Sequence, residues 1–320
     1  MLVASGGAAD IVGMSFPLGK GFGRGMRRMV GVLSFLAGLL PGLAVGLSLG
    51  LPGNPTLAAN DSSPEAAARA EIGRNLASHR AVYGLTIARH DQRNYRQGVS
   101  GALSLEFLNS CEGYVLNQRF LIEMAMEDGT QLTDMTLGSF ESRDGKRFQF
   151  RMREQVDGED EDELIGEGRL VNSSGGKVVF SQPEDNELAL PPGAMFPTEH
   201  TIRLIQAGRE GMNLLQADVF DGSAADGYAA IGGFIGRTRT APVAGGSGAD
   251  KDPAKALSGL RYWQVRLGYF NSAKKSDVPD YEIAFRLFEN GVADDIVFDY
   301  GDYAIRASLQ HLEMLPKDGC

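Results

Sequence analysis

An all-β fold, a curled antiparallel sheet forming an incompletely closed barrel or spiral with one central helix, is what this sequence of 320 residues predicts. Three observations carry the prediction. A dozen or so segments alternate apolar and polar residues, the period of a strand with one buried face, at spacings of 8–14 residues. Glycines, 42 of them against a single tryptophan, fall between those segments as turn residues. One stretch alone, after Phe196, has an apolar face of clear helical period. Long alternating strands must curl to bury one face. No repeat of 20–50 residues is apparent, which argues against a propeller.

The elements follow in order. Residues 60–78, with Ser63-Pro64 and an alanine run, read as a short helix or lead-in. From His79 the period becomes two, with Ala81, Tyr83, Leu85 and Ile87 on one face. Strands are predicted over 101–107, 114–126 and 130–141, the last two joined at Asp128-Gly129. After Asp144-Gly145, residues 147–154 point Phe148, Phe150 and Met152 inward and Arg147, Arg151 and Arg153 outward. Strands at 164–171 and 177–180 flank Ser173-Ser174-Gly175-Gly176.

The helix then runs from Phe196-Pro197-Thr198-Glu199-His200 with Ile202, Leu204, Ile205 and Ala207 on its apolar face. Thr198 is its expected N-cap, and Gly208 or Gly211 its stop. Strands resume at 213–220, 229–240, 260–270, 281–288, 292–300 and 303–315, with Glu289-Asn290-Gly291 as a hairpin turn. The Gly-, Ala- and Lys-rich stretch 241–258 reads as a mobile surface loop.

The N-terminus reads as an address. Lys20, Arg24, Arg27 and Arg28 precede an uncharged run from Val30 to Leu51, and Thr56-Leu57-Ala58 supplies small residues after Pro52 and Pro55. That order of basic, apolar and small is the secretory-signal pattern, with export from the cytosol as the expectation. Gly38, Gly42, Gly46 and Gly50 leave the alternative of an uncleaved anchor whose small-residue face packs against another helix. Met14, Met26 and Met29 are all suitable starts, so the first 25 residues read as an upstream extension. The expected organisation is therefore signal peptide with extension over 1–59, lead-in over 60–78, and a single domain over 79–320.

Charge excludes further classes. The chain carries 31 Lys+Arg and 41 Asp+Glu, a net −10, and removal of residues 1–59 (four basic, one acidic) leaves −13. An acidic surface without a basic tract argues against nucleic acid and weakly opposes an anionic membrane face. The two cysteines, Cys111 and Cys320, are too few for a zinc ribbon or an iron–sulfur site. In an oxidising compartment they read as one disulfide, closing a loop of roughly 210 residues and contributing at most about 5 kcal/mol. Such a bond would tie the last strand to an early one and hold the ends of the sheet together. Free thiols or an intermolecular bridge are the alternatives.

Enzyme signatures are scarce. No phosphate-binding loop, nucleophile elbow or zinc-protease motif is present, and Gly21-Phe22-Gly23-Arg24-Gly25 has no strand before it. His79, His90, His200 and His311 lack metal-ligand spacing, so neither metal nor cofactor is expected. His79 and His311 flank terminal strands and could meet. The acidic run Asp157–Glu163 fails the EF-hand spacing and reads as a solvated hairpin tip. Asp218, Asp221 and Asp226 surround Phe220-Asp221-Gly222-Ser223, where turn chemistry is the simpler reading.

Taken in order, His79-Arg80-Ala81-Val82-Tyr83, Cys111-Glu112-Gly113-Tyr114, Phe196-Pro197-Thr198-Glu199-His200, Phe220-Asp221-Gly222-Ser223 and the terminal cysteine resemble the EipB (envelope integrity protein B) family of periplasmic proteins. The resemblance covers about residues 79–320. It implies a β-spiral with a helix in its middle, similar to lipoprotein-carrier folds, a disulfide between Cys111 and Cys320, and a role in cell-envelope integrity. It transfers no catalytic residue. The long N-terminal extension and the 241–258 insertion depart from the family pattern.

The expected function is thus non-enzymatic: a monomeric periplasmic protein that supports the envelope by binding a lipid, lipoprotein or protein partner. Phe148, Phe150, Leu204 and Phe285 are the residues expected to line a concave apolar face, or else to pack on the helix as core. The alternatives are an envelope hydrolase using Asp218 or Asp221 with His200, and an acidic scaffold docking a periplasmic repeat protein.

Overall fold

The computed structural model describes residues 63–90, 98–126, 129–171, 174–243, 252–272 and 276–317. The signal segment and Cys320 lie outside the described residues. The chain opens with helix α1 (Pro64–Asn75) and runs through strands β1 (His79–His90), β2 (Gly98–Asn109), β3 (Gly113–Met126), β4 (Gly129–Ser142), β5 (Arg147–Val156), β6 (Glu159–Leu170), β7 (Gly176–Gln182) and β8 (Glu187–Leu190). Helix α2 (Pro197–Glu210) follows, then β9 (Leu214–Val219), β10 (Ala229–Ile235), β11 (Arg239–Thr240), helix α3 (Pro253–Ala256), β12 (Arg261–Asn271), β13 (Tyr281–Phe288), β14 (Ala293–Asp299) and β15 (Tyr303–Met314).

The described strands form one antiparallel sheet in the order β8-β7-β6-β5-β4-β3-β2-β1-β15-β14-β13-β12-β10-β9, with β11 on β12. Almost every neighbour is also a neighbour in sequence, so turns set most of the register. The exceptions are β10 beside β12, and β1 beside β15, where Leu85 faces Ala307 and the two halves of the chain join. The sheet stays open between β8 and β9. Only Met195, just past β8, bridges to Val219 of β9, and that bridge is parallel.

Local chemistry explains the turns. Asp157 and Gly158 take left-handed φ values of 52° and 86°, so the β5–β6 hairpin closes on a two-residue turn that matches strand twist. The acidic residues after it are not loop: Glu159 starts β6, and Arg153 pairs with Asp160 and Arg151 with Glu163 across the strands. At the β13–β14 turn, Asn290 Oδ1 accepts from the Val292 amide at 3.2 Å and Gly291 has φ 87°. β5 alternates as expected, with Phe148, Phe150, Met152 and Glu154 buried and the residues between them exposed.

Several expectations need correction. Three helices are described: the central one, a helix in the stretch read as a short helix or lead-in, and an unexpected short one at Pro253–Ala256. Residues 64–75 are helical, with Ser63 as N-cap, and Ile72 and Leu76 are buried in the same cluster as Ile202 and Leu204 of α2. The stretch 229–240 is not one strand. β10 ends at Ile235, and the Gly236 amide donates to the Gln264 carbonyl, carrying the chain over to β12. The loop 241–258 ends in α3, capped by Asp252 and followed by buried Leu257. A Cys111–Cys320 bond would not hold the ends of the sheet, because the edges are β8 and β9. His79 lies opposite Met314, and His311 opposite Val82, so the two histidines are not partners across the β1–β15 pair.

Candidate functional site

The interior is the first place to look for a ligand, and side chains occupy it. Phe148 and Phe150 on β5 and Phe180 on β7 meet Phe196 and Phe220. Phe148 stacks on Phe196 with centroids 5.1 Å apart, and Phe150 meets Phe220 edge-on at 5.3 Å. The two sequence motifs beginning at Phe196 and Phe220 therefore converge on the rings predicted to face inward. Leu204 is buried with Trp263 and Val265, while Phe285 is half-buried against that cluster.

Each residue of Phe220-Asp221-Gly222-Ser223 has a structural reason. Phe220 fills the aromatic cluster. Asp221 Oδ1 accepts from the Ser223 amide at 3.0 Å and also from the Ser223 hydroxyl. Gly222 has φ 80°, and a Cβ there would lie 2.8 Å from Cγ of Phe150, so both backbone and space require glycine. Burial pushes the Asp221 carboxyl upward, and its two hydrogen-bond donors pull it back. Burial likewise raises Asp218.

The α2 N-terminus is capped in a way sequence reasoning missed. Phe196, not Thr198, is the N-cap; its phenyl ring offers no acceptor, and Pro197 occupies the first helical position. The acceptor comes instead from Glu141, the inward residue at the end of β4. Its two carboxylate oxygens take the Thr198 amide at 2.7 Å and the Glu199 amide at 2.9 Å. Burial pushes Glu141 up to about 7 against the pull of those amides. A glutamate on the buried side of an alternating strand, after Leu137 and Ser139, was the available signal.

A second polar node holds α1. Asn109 Nδ2 donates to the Gly73 and Leu76 carbonyls at 2.9 and 2.7 Å, and Arg143 donates to Asn109 Oδ1 at 2.8 Å and to Tyr114 Oη at 3.0 Å. These groups satisfy carbonyls at the helix C-terminus. They also frame the β2–β3 turn, which carries Cys111.

A ladder of tyrosines lines the other half. Tyr269 stacks on Tyr281 at 4.4 Å and Tyr300 on Tyr303 at 4.8 Å, with Tyr281 and Tyr300 6.2 Å apart. Burial raises Tyr269 and Tyr281, and the Asp221 charge raises both further.

The hydrolase alternative required Asp218 or Asp221 to work with His200. Asp221 is engaged within its own turn, and His200 Nε2 is buried without a hydrogen-bond partner, so it holds neither aspartate. Burial, then Arg203, lowers His200 to about 4, keeping the ring neutral. No cluster of three metal-ligating side chains occurs among the described residues. On the outer face, a groove of about 900 Å³ crosses β5–β7 between Gln149, Ile165, Arg169, Lys177 and Val179. Among the described residues, no helix is long and apolar enough to cross a membrane.

Comparison with known proteins places this geometry. The chain is 34% identical over 267 residues to the cell envelope integrity protein EipB of Brucella abortus (strain 2308), covering 79% of this chain and 91% of that one. It also superimposes, with a TM-score of 0.68 and 33% identity, on the crystal structure of a beta-barrel-like protein of a domain of unknown function from Brucella abortus. That match covers 75% of this chain and 99% of the other. The EipB-like family profile matches residues 70–316, and the chain belongs to that family.

Proposed function

We propose that this protein is exported to the periplasm and maintains the integrity of the cell envelope without catalysing a reaction, acting through a partner that docks on the outside of its sheet. The envelope role is carried by the relationship to the Brucella abortus protein named for that role, which spans 79% of this chain. The filled interior supports external docking. Phe148, Phe150 and Leu204, offered by the sequence as ligand-facing, are all buried against neighbouring side chains. The engagement of Asp221 within its turn supports a non-enzymatic reading.

The disulfide of this reading joins Cys111 to Cys320, and the topology favours the pairing. The β2–β3 turn and the end of β15 lie at the same end of the sheet. Asn109 donates its amide to Ser78 Oγ, and Leu315 donates its own to the Ser78 carbonyl. Two strand spacings, about 10 Å, separate them, and the six residues after Met314 reach about 20 Å. The bond would brace the β1–β15 seam, where the two halves of the chain meet.

Deleting the gene and plating on detergents and cell-wall antibiotics tests the role. Loss of resistance, restored by the wild-type gene, is expected; unchanged growth overturns it. Non-reducing mass analysis of protein from the periplasmic fraction, expected two hydrogens lighter than the reduced chain, tests export and pairing together.

A further inference from the structure

We propose that the free edge of β9 is a docking strand for an extended peptide of a protein partner, one with alternating apolar side chains and an acidic end. The backbone carries the argument first. On the edge side of β9, Met195 donates to the Asp218 carbonyl and accepts from the Phe220 amide, while the Asn213 carbonyl accepts from Ile235 on the β10 side. Amide and carbonyl of a strand residue share one side, so those of Leu214 and Gln216 face away from β10 like those of Asp218. Their continuation would be the chain before Met195, but that chain turns away: the Ala194 amide donates to the Pro191 carbonyl and Gly193 takes φ 84°, a turn rather than a strand. The pairing that Met195 begins therefore stops after one bridge, and no described strand covers the edge beyond it.

The side chains over that edge are apolar and exposed. Leu214 stands opposite Phe234 of β10. Leu214 is 72% exposed, Phe234 54% and Met212 44%. Gly232 and Gly268 are paired beside them on the same face, and the Phe270 ring packs over both, continuing the apolar surface. Contiguous exposed apolar surface beside unpaired strand backbone is the arrangement that recruits a further strand.

Charge gives the end of the strand its sign. In a chain of net charge −10, Arg237 and Arg239 lie exposed just past β10. Neither makes a salt bridge with a described residue, unlike Arg261 and Arg266 of neighbouring β12, which pair with Glu289 and Glu282. Arg237 is two residues beyond Ile235, whose amide bonds Asn213 at the open end of β9. A carboxylate at the end of the incoming strand would meet it there. The inference deepens the reading that the protein acts through an external partner, and rests on it.

The test uses purified full-length mature protein and synthetic ten-residue peptides alternating valine or isoleucine with threonine, ending in aspartates or in lysines. Acid-ended peptides should bind, protect the Leu214 and Gln216 amides from hydrogen exchange, and weaken roughly five- to tenfold with Gln216→Pro, which removes one edge donor. Arg237→Glu, far from any buried contact, should reverse the preference to lysine-ended peptides. Absence of binding, equal binding to Gln216→Pro at an unchanged melting temperature, or protection elsewhere overturns the proposal. So does a Leu214-dependent dimer in sedimentation, which would make a second copy the occupant. In cells, Gln216→Pro or Arg237→Glu should reproduce the deletion phenotype at normal protein level. Full resistance in both variants sinks the docking strand while leaving the envelope role standing, and a deletion without phenotype sinks the envelope role alone.

Discussion

The two halves of the interior are filled with rings of the same size and different chemistry. Between β4 and β7, the fully buried rings are phenylalanines, Phe148, Phe150 and Phe180, joined by Phe196 and Phe220. Between β12 and β15 and across the seam to β1, the rings are mostly tyrosines: Tyr83, Tyr281, Tyr300 and Tyr303, with Tyr262 and Tyr269 packed against them. A phenylalanine core is held by contact alone. A tyrosine core must also place its hydroxyls, as Tyr83 does by donating to the Ala293 carbonyl at 2.8 Å. The first half is therefore expected to tolerate nothing polar, and the second to depend on where its polar atoms point. Asp221 links them: its neighbour Phe220 lies in the phenylalanine cluster, and its charge raises the Tyr269 and Tyr281 phenols of the other half.

The largest effect should come from emptying the dry half. Phe148→Ala removes a ring that touches Phe150, Phe196 and Phe220, and should cost about 3–5 kcal/mol in urea unfolding. A loss under 1 kcal/mol would mean that the cluster is loosely packed. Next, Glu141→Ala strips the amides of Thr198 and Glu199 of their acceptor and should cost roughly 1–3 kcal/mol. Glu141→Gln keeps one acceptor oxygen and should cost less; equal losses would show that one oxygen alone caps nothing and that both carboxylate oxygens are required.

The exchange of one hydroxyl separates the halves most sharply. Phe150→Tyr buries a hydroxyl among phenyl rings and should cost about 1–3 kcal/mol. Tyr83→Phe forfeits one hydrogen bond to a carbonyl, worth about 1 kcal/mol. Both are read by chemical denaturation, and the reverse order of costs would break the comparison. The smallest effect near neutral pH is alkaline. Burial raises Tyr83, Tyr269 and Tyr281 above the usual phenol value of 10.0. Stability from keeping them neutral is whole below pH 10 and drains as pH rises above it. Alkaline unfolding followed by tyrosinate absorbance should release these phenols together, with hydrogen exchange opening β12–β15 before β4–β7. Simultaneous opening would argue that the halves form one cooperative unit.

Much of this interior was legible because alternation fixes which side chains share a face. Phe148, Phe150 and Met152 were assigned inward from spacing alone, and they are buried. The helical face Ile202, Leu204, Ile205 and Ala207 was legible for the same reason and is buried throughout. Gly211 ends that helix with φ 74°, a conformation glycine adopts without steric cost. The cap was not legible, because Thr198 is a good local candidate and Glu141 lies 57 residues away. Nor was the open edge, since Leu214 and Phe234 read like any other strand residues until the partner of β9 is known to be missing.

The sequence by itself determined where strands, turns and the helix lie and which side of each is apolar, since those depend on residues a few positions apart. It also fixed the family through the ordered motifs at His79, Cys111, Phe196 and Phe220. The tertiary structure decided which glutamate caps α2, that β1 closes on β15, and that the turn at Pro191–Ala194 leaves most of the β9 edge without a described partner strand. Each of those joins groups distant along the chain, and no local period or propensity specifies which distant group will arrive.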